Sequence, residues 1–516
     1  MSDTTDQPSS SPKTLVQRIF SRALDSVERI GNKLPDPITL FVIFVAIVMI
    51  ASALASAFNL SATHPGTGEE ISAVNLFSKE NIQRIFQEMP QTFAEFPPLG
   101  LVLVVMLGIG VADKTNLIGV ALSAFVSSVP GWLLSASVVF AGLMSSLAVD
   151  AGYVVLIPLG AVIFHGVGRH PLAGLAAAFA GVSAGFSSNL FLTGLDPLLA
   201  SFTTPAANIL DPDYMVSVPA NYYVMVFLVP LFTIAGALVT EKIIEPRLGK
   251  YKAEEGLEVE NDKLTPLQRK GLWAALAVLV VTLIGIAVMV IPQDAVFRGE
   301  DGSLDPFYRS IVALMLFIFL LPGLAYGIVT KQITNDKQVA DMTSDTMASM
   351  GPYIVLAFAA AHFIAFFNWS NLGIIMAIGG ADFLQGIGLT GIPLIIAFIL
   401  VSSVLNLFIG SASAKWAVMA PVFVPMLMLV GYSPELTQAM YRVGDSFTNV
   451  LTPLLPYFPL IIIFAQKYQK DIGIGTIIST MLPYSIVFGI LGITTIILWV
   501  LFGLPLGPDA PLYYPQ

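Results

Sequence analysis

The stretch RVGDSFTNVLTPLLP, Arg442 to Pro456, read beside SSNLFLTGLDPLL, Ser187 to Leu199, decides how this chain folds. Each sets a hydroxyl residue, an Asn and a Thr inside apolar sequence and runs on into Pro-Leu-Leu. Backbone that leaves the helix inside a membrane must be buried in protein or line a cavity, because lipid offers no hydrogen-bond partners. Both stretches are therefore expected to break membrane segments around a polar interior.

The likeness continues upstream at one constant offset. DAGYVVLIPLGAVIFHGVGRHP (Asp150 to Pro171) aligns with SAKWAVMAPVFVPMLMLVGYSP (Ser413 to Pro434). Pro158 then matches Pro421, Gly168 matches Gly431, Pro171 matches Pro434, and Tyr153 matches Trp416. Two copies of a polar, Gly- and Pro-interrupted unit in a membrane chain mark a secondary transporter, whose substrate and ions sit between the repeats near the midplane. The plainer alternative is a set of kinked helices whose Asn and Thr bond neighbouring backbone.

Composition agrees with a membrane chain. Of the 516 residues, 56% are hydrophobic and 11% charged, with a mean hydropathy of +0.81, against about 25% charged in globular domains. The absence of Cys excludes disulfides, thiol catalysis and cysteine metal sites. A net charge of −10 argues against nucleic acid, which requires clustered Lys and Arg. The segment Lys13 to Pro37 interleaves Leu15, Ile19, Val27 and Ile30 with charges of both signs. It reads as an amphipathic helix lying on the membrane, with a solvated helix as the alternative.

The first half, 38–240, begins with an apolar run from Ile38 to Phe58, followed by a Glu-rich loop to Pro98. Residues 172–195 are rich in small side chains and suit a re-entrant hairpin; 435–456 is its counterpart. Lys242, Arg247, Lys250, Lys252, Arg269 and Lys270 make 241–270 a cytoplasmic linker by the positive-inside rule. The second half, 271–503, leads to a tail, 504–516, expected outside. The expected fold is an all-α polytopic membrane protein of about nine transmembrane helices plus two re-entrant helical hairpins. Its halves form an inverted repeat like that of the ion-transporter superfamily.

An ionisable residue at the bilayer centre costs about 2.5–3.5 kcal/mol on insertion scales, so each is a functional candidate. Asp150, Asp196, Lys415, Arg442 and Asp445 qualify. Arg442 and Asp445, three apart, share a helix face as either a working pair or a structural ion pair. Asp196 has no basic neighbour in sequence: its partner comes from elsewhere, or desolvation makes it a proton carrier, or it caps a half-helix at Pro197. Broken hairpins offer oxygen ligands for Na⁺. The candidates are Asp150, Ser188, Asn189 and Thr193 in one half and Thr448, Asn449 and Thr452 in the other, with Ser413 at the position matching Asp150. Trp416, after the small-residue run GSASAK, is read as a stacking platform for an aryl carboxylate or as a packed indole. His165, His170 and His362 are too scattered for a metal site.

These residues, with GIGVADKTNLIG (Gly108 to Gly119), AVDAGYVVLIPLGA (Ala148 to Ala161), GVSAGFSSNLFLTGLDPLLA (Gly181 to Ala200), GSASAKWAVMAPVFVPM (Gly410 to Met426) and YRVGDSFTNVLTPLLPY (Tyr441 to Tyr457), resemble the AbgT family of p-aminobenzoyl-glutamate transporters, of the MtrF and YdaH type. The resemblance runs over essentially the whole chain. It implies a bacterial inner-membrane homodimer with a bowl-shaped cytoplasmic basin and no enzymatic cofactor; the charge distribution sets the N-terminus in the cytoplasm. The resemblance also implies uptake of p-aminobenzoyl-glutamate or efflux of sulfonamides and p-aminobenzoate-like drugs; the repeated broken hairpin and the intramembrane Asp residues point to alternating access coupled to H⁺ or Na⁺. Positions matching the family's functional residues are Asp196, Asn406, Ser413, Trp416, Pro434, Arg442 and Asp445. Two other classes compete. One is a channel, for which no ring-forming filter motif is present. The other is an intramembrane aspartyl protease using Asp196 and Asp445, in which Arg442 beside Asp445 opposes a proton-sharing dyad.

Overall fold

The computed structural model describes residues 37–63, 68–147, 152–249, 251, 264–300, 302–452, 455 and 457–515. The N-terminal amphipathic helix, most of the linker after Gly249, and Asp150 lie outside these residues.

Helices α1 (Pro37–Ala57), α2 (Lys79–Ala94), α3 (Pro97–Lys114), α4 (Leu117–Ser127), α5 (Leu134–Met144), α6 (Ile157–Gly166), α7 (Pro171–Phe179), α8 (Leu195–Ala207) and α9 (Tyr222–Val239) form the first half. A short α10 (Glu245–Leu248) precedes α11 (Pro266–Val290), α12 (Asp305–Val329) and α13 (Asp336–Ser349). The second half follows as α14 (Gly351–Trp369), α15 (Leu372–Gly386), α16 (Gly391–Asn406), α17 (Ala412–Leu429), α18 (Pro434–Thr448), α19 (Phe458–Gln466) and α20 (Ile474–Phe502). The constant-offset stretch falls on α6–α7 in the first half and on α17–α18 in the second. Strands β1 (Ser61–Thr63) and β2 (Glu70–Ser72) add a small antiparallel hairpin in the loop after α1, with Ser61 opposite Ser72.

Among the described residues, seven helices are long and apolar enough to cross a membrane, or eight if α4 and α5, bent by 119°, count as one broken span. Gly, Pro and polar breaks divide much of the interior into shorter apolar helices such as Gly152–Gly166, Pro171–Ala184 and Gly391–Asn406. The chain is a multi-pass helical membrane protein.

The polar stretches do interrupt helices. The first break, 185–194, separates the π-helical turn Ala180–Ala184 from α8, and the second lies between the end of α18 at Thr448 and the start of α19 at Phe458. The arms flanking the first break pack on different neighbours: α7 lies on α5 and α6, whereas α8 lies on α3 and α17.

Helix starts follow ordinary capping chemistry. Ser433 Oγ accepts from the Leu436 amide at 3.0 Å, with Pro434 at the first helical position of α18. His170 Nδ1 accepts from Leu172 N at 3.3 Å at the start of α7. Every residue of α7 is buried, as befits a helix that is apolar all round. α18 is buried almost throughout although it carries Gln438, Arg442 and Asp445, so its polar groups must find partners inside the protein. Close approach fixes the surroundings: a Cβ on Gly142 of α5 would lie 2.7 Å from the Gly181 Cα. By contrast α11 buries only Gly271 and Ala275 and packs chiefly on α12. The segment after α20 folds back, with Ser433 N donating to Leu512 O at 3.1 Å and Tyr514 N to Gly431 O at 3.0 Å.

Candidate functional site

The intramembrane charges pair, and not as their spacing suggests. Arg442 Nη1 of α18 donates to Asp196 Oδ1 in the first turn of α8 at 2.6 Å, joining the two halves. Asp196 Oδ2 accepts from the Thr193 amide at 2.6 Å and from Thr193 Oγ1 at 2.9 Å. Asp196 thus has a cationic partner from elsewhere in the chain, one of the alternatives left open by the sequence; its second oxygen closes the turn before α8, whose N-cap Gly194 makes no side-chain cap bond. Arg442 Nε is buried and donates to no acceptor among the described residues.

Asp445, one turn further along α18, is bound by Lys415 of α17. Lys415 Nζ also donates to Asn406 Oδ1 at the end of α16. The Asn406 Nδ2 group is shared among Asp445 O, Thr448 Oγ1 at 2.9 Å and Asn449 Oδ1 at 2.8 Å. Lys415 and Asn406 are both 0% exposed, so neither reaches water. Asp196 and Asp445 engage separate cations, which is not the arrangement of two carboxyls sharing one proton.

Trp416 is also 0% exposed. Its ring stacks on Tyr441 with centroids 4.4 Å apart, and its Nε1 donates to Thr203 Oγ1 at 2.9 Å. Thr203 in turn donates to Gln438 Oε1, and Gln438 Nε2 donates to Asn221 Oδ1 at 2.9 Å. The indole is therefore already packed on an aromatic partner in this conformation.

The remaining candidates have local partners. Ser188 Oγ donates to Gly185 O at 2.8 Å, and Asn189 Nδ2 donates to Ser146 Oγ at 2.9 Å. Thr452 Oγ1 donates to Leu407 O at 3.1 Å, and Ser413 lies 3.3 Å from Ser411 Oγ. Each of these described side chains has a polar partner within the chain, Asp150 lies outside the described residues, and those residues hold no group of three or more His, Cys, Asp or Glu able to take a metal ion. A cavity of about 480 Å³, lined by Asn208, Asn368 and Asn371 among others, lies at the opposite end of α8 from Asp196.

A family profile described as "AbgT putative transporter family" matches residues 22–514. The chain belongs to the AbgT family. It is 40% identical over 493 residues to the p-aminobenzoyl-glutamate transport protein of Escherichia coli (strain K12), covering 95% of this chain and 96% of that protein. The crystal structure of the Alcanivorax borkumensis YdaH transporter superposes with a TM-score of 0.88 at 42% identity, covering 92% of this chain and 100% of that one. Neisseria gonorrhoeae MtrF, described as illuminating a class of antimetabolite efflux pumps, gives 0.90 at 46% identity, covering 95% and 100%. These relatives are transporters and efflux pumps, and none is named as an enzyme.

Within this AbgT chain Thr203, Gln438 and Tyr441 belong to the site without having stood out in the sequence. A signal was available on α18. Gln438, Tyr441, Arg442 and Asp445 recur at intervals of three and four, a polar stripe on a membrane helix that calls for partners along its whole length.

Proposed function

We propose that the chain is a secondary active transporter of aromatic carboxylates or related antimetabolites, p-aminobenzoyl-glutamate and sulfonamides among them. It works by alternating access coupled to an H⁺ or Na⁺ gradient. The observation that carries this reading is the Arg442 guanidinium, buried between the two halves with one nitrogen on Asp196 and its Nε without an acceptor among the described residues. A buried guanidinium with a spare donor suits a carboxylate, for which its planar fork is matched. Trp416 and Tyr441, stacked beside the same stripe of α18, supply aromatic surface for an aryl group once the stack opens. In this conformation the site is sealed, so access requires the halves to move. The naming of the E. coli and N. gonorrhoeae relatives supports the substrate class. We read the protein as a homodimer of the bacterial inner membrane, with 1–37 cytoplasmic and 504–516 periplasmic.

The experiment is flux of labelled p-aminobenzoyl-glutamate and of a sulfonamide in proteoliposomes, with Na⁺ and proton gradients imposed separately and in each direction. Uphill movement against one gradient would name the coupling ion and the working direction together. No movement of either compound by folded protein would remove the substrate assignment.

A further inference from the structure

We propose that the Lys415 ammonium is a tethered monovalent cation, filling from within the chain a cation position built by the Asp445 carboxylate and the Asn406 side-chain carbonyl. This half of the protein then takes no free alkali ion while the amine is in place. The inference rests on the transporter reading above and concerns which ion its central site can bind.

The geometry around Lys415 is that of a cation site. Asn406 is oriented by three acceptors on its Nδ2, which leaves its Oδ1 committed to the amine. Asp445 receives no second cation, because Arg442, three residues before it, is turned to Asp196. The Tyr441 hydroxyl lies 3.5 Å from Asp445 Oδ1 and its ring faces the amine, with Nζ 5.7 Å from the centroid. The position is sealed, Lys415 being 0% and Asp445 2% exposed, so neither charge is offset by water. At the matching place in the first repeat stands Gly152, which has no side chain, so the amine belongs to the second half alone.

Charge bookkeeping then makes a definite demand. Asp196 with Arg442 and Asp445 with Lys415 are two neutral pairs, and deleting the amine leaves a carboxylate buried without compensation. Truncation to Ala also vacates the volume of a propylammonium group beside two oxygen ligands, which a Na⁺ can enter. Stability of the truncated protein should then follow Na⁺ by mass action.

The test uses the purified full-length protein without substrate, so it stands apart from the success or failure of the substrate assignment. Thermal unfolding of the wild type, of Lys415→Ala and of Lys415→Ala/Asp445→Asn is measured in NaCl and in choline chloride at fixed pH and ionic strength. The expected result is a saturable rise of the Lys415→Ala midpoint with Na⁺, larger than any seen for the wild type, and a flat response in the double variant. If Lys415→Ala does not fold in choline, its recovery as monodisperse protein in Na⁺ reports the same dependence, and Lys415→Gln is the second variant. A midpoint that rises on acidification and ignores Na⁺ would overturn the proposal. So would failure of both single variants to fold in either salt, since no free cation would then be able to take the amine's place.

Discussion

At the scale of single residues, Arg442 bonds across the two halves to Asp196. Arg442→Ala leaves the Asp196 carboxylate buried alone and is expected to cost about 3–5 kcal/mol. Adding Asp196→Asn should recover most of that loss in thermal unfolding without restoring flux, and a double variant no more stable than the single one would refute the pairing. Asp196→Asn alone is expected to give folded protein that no longer couples transport; undiminished coupled flux would remove its role. Trp416→Ala empties a fully buried site, so stability falls by about 3–5 kcal/mol. Trp416→Phe keeps a ring on Tyr441 but loses the bond to Thr203, about 1 kcal/mol, together with part of the buried volume, so it should fall between the wild type and Trp416→Ala. KM for aryl substrates should separate the two variants, and equal KM in both would count against stacking. The ionisable residues themselves were legible, because Asp196, Lys415, Arg442 and Asp445 stand out in apolar sequence. Their pairing was not. Spacing places Arg442 and Asp445 on one face, but spacing carries no information about α8 or α17, which pack against that face and supply the true partners.

At the scale of elements, the fold depends on small residues where helices cross. Gly142→Val would drive a side chain into the Gly181 backbone, whose Cα lies 2.7 Å from where the new Cβ would stand, and so part α5 from the turn after α7. Size-exclusion chromatography should show aggregated or absent protein. Gly285→Ala on α11 meets nothing within 4 Å and is expected to be neutral or to stabilise by a few tenths of a kcal/mol up to about 1 kcal/mol. Equal behaviour of the two variants would refute the packing argument. The breaks in the helices were visible as clusters of Ser, Asn and Thr before Pro-Leu-Leu. The π-helical turns at Gly152–Leu156, Ala180–Ala184 and Thr240–Ile244 were not, since an extra residue in one turn leaves no composition signal. Nor was the division of apolar runs into helices too short to cross alone, which depends on what each fragment packs against.

At the scale of the whole molecule, one titrating group lies at a turn between helices. Burial lowers the pKa of His170 below its ordinary value of 6.5, with the Glu245 carboxylate opposing the shift. A base whose pKa is lower folded than unfolded binds more protons when unfolded, so its contribution is complete above about pH 6.5 and is lost as pH falls through the lowered value. Thermal midpoints should therefore decline on acidification below that point. His170→Asn, which keeps an acceptor for the start of α7, should flatten the decline; an unchanged slope would assign it to other groups. The ion pair between Asp196 and Arg442 has a further consequence, in the order of synthesis. The partners stand 246 residues apart. At about 5–20 residues per second the carboxylate emerges roughly 12–50 s before the guanidinium that neutralises it. Lys415 and Asp445 follow one another within seconds. A ribosome that pauses between α9 and α18 holds a half-made protein with Asp196 already committed to the membrane and nothing to meet it, so the tempo of translation enters the yield of this transporter.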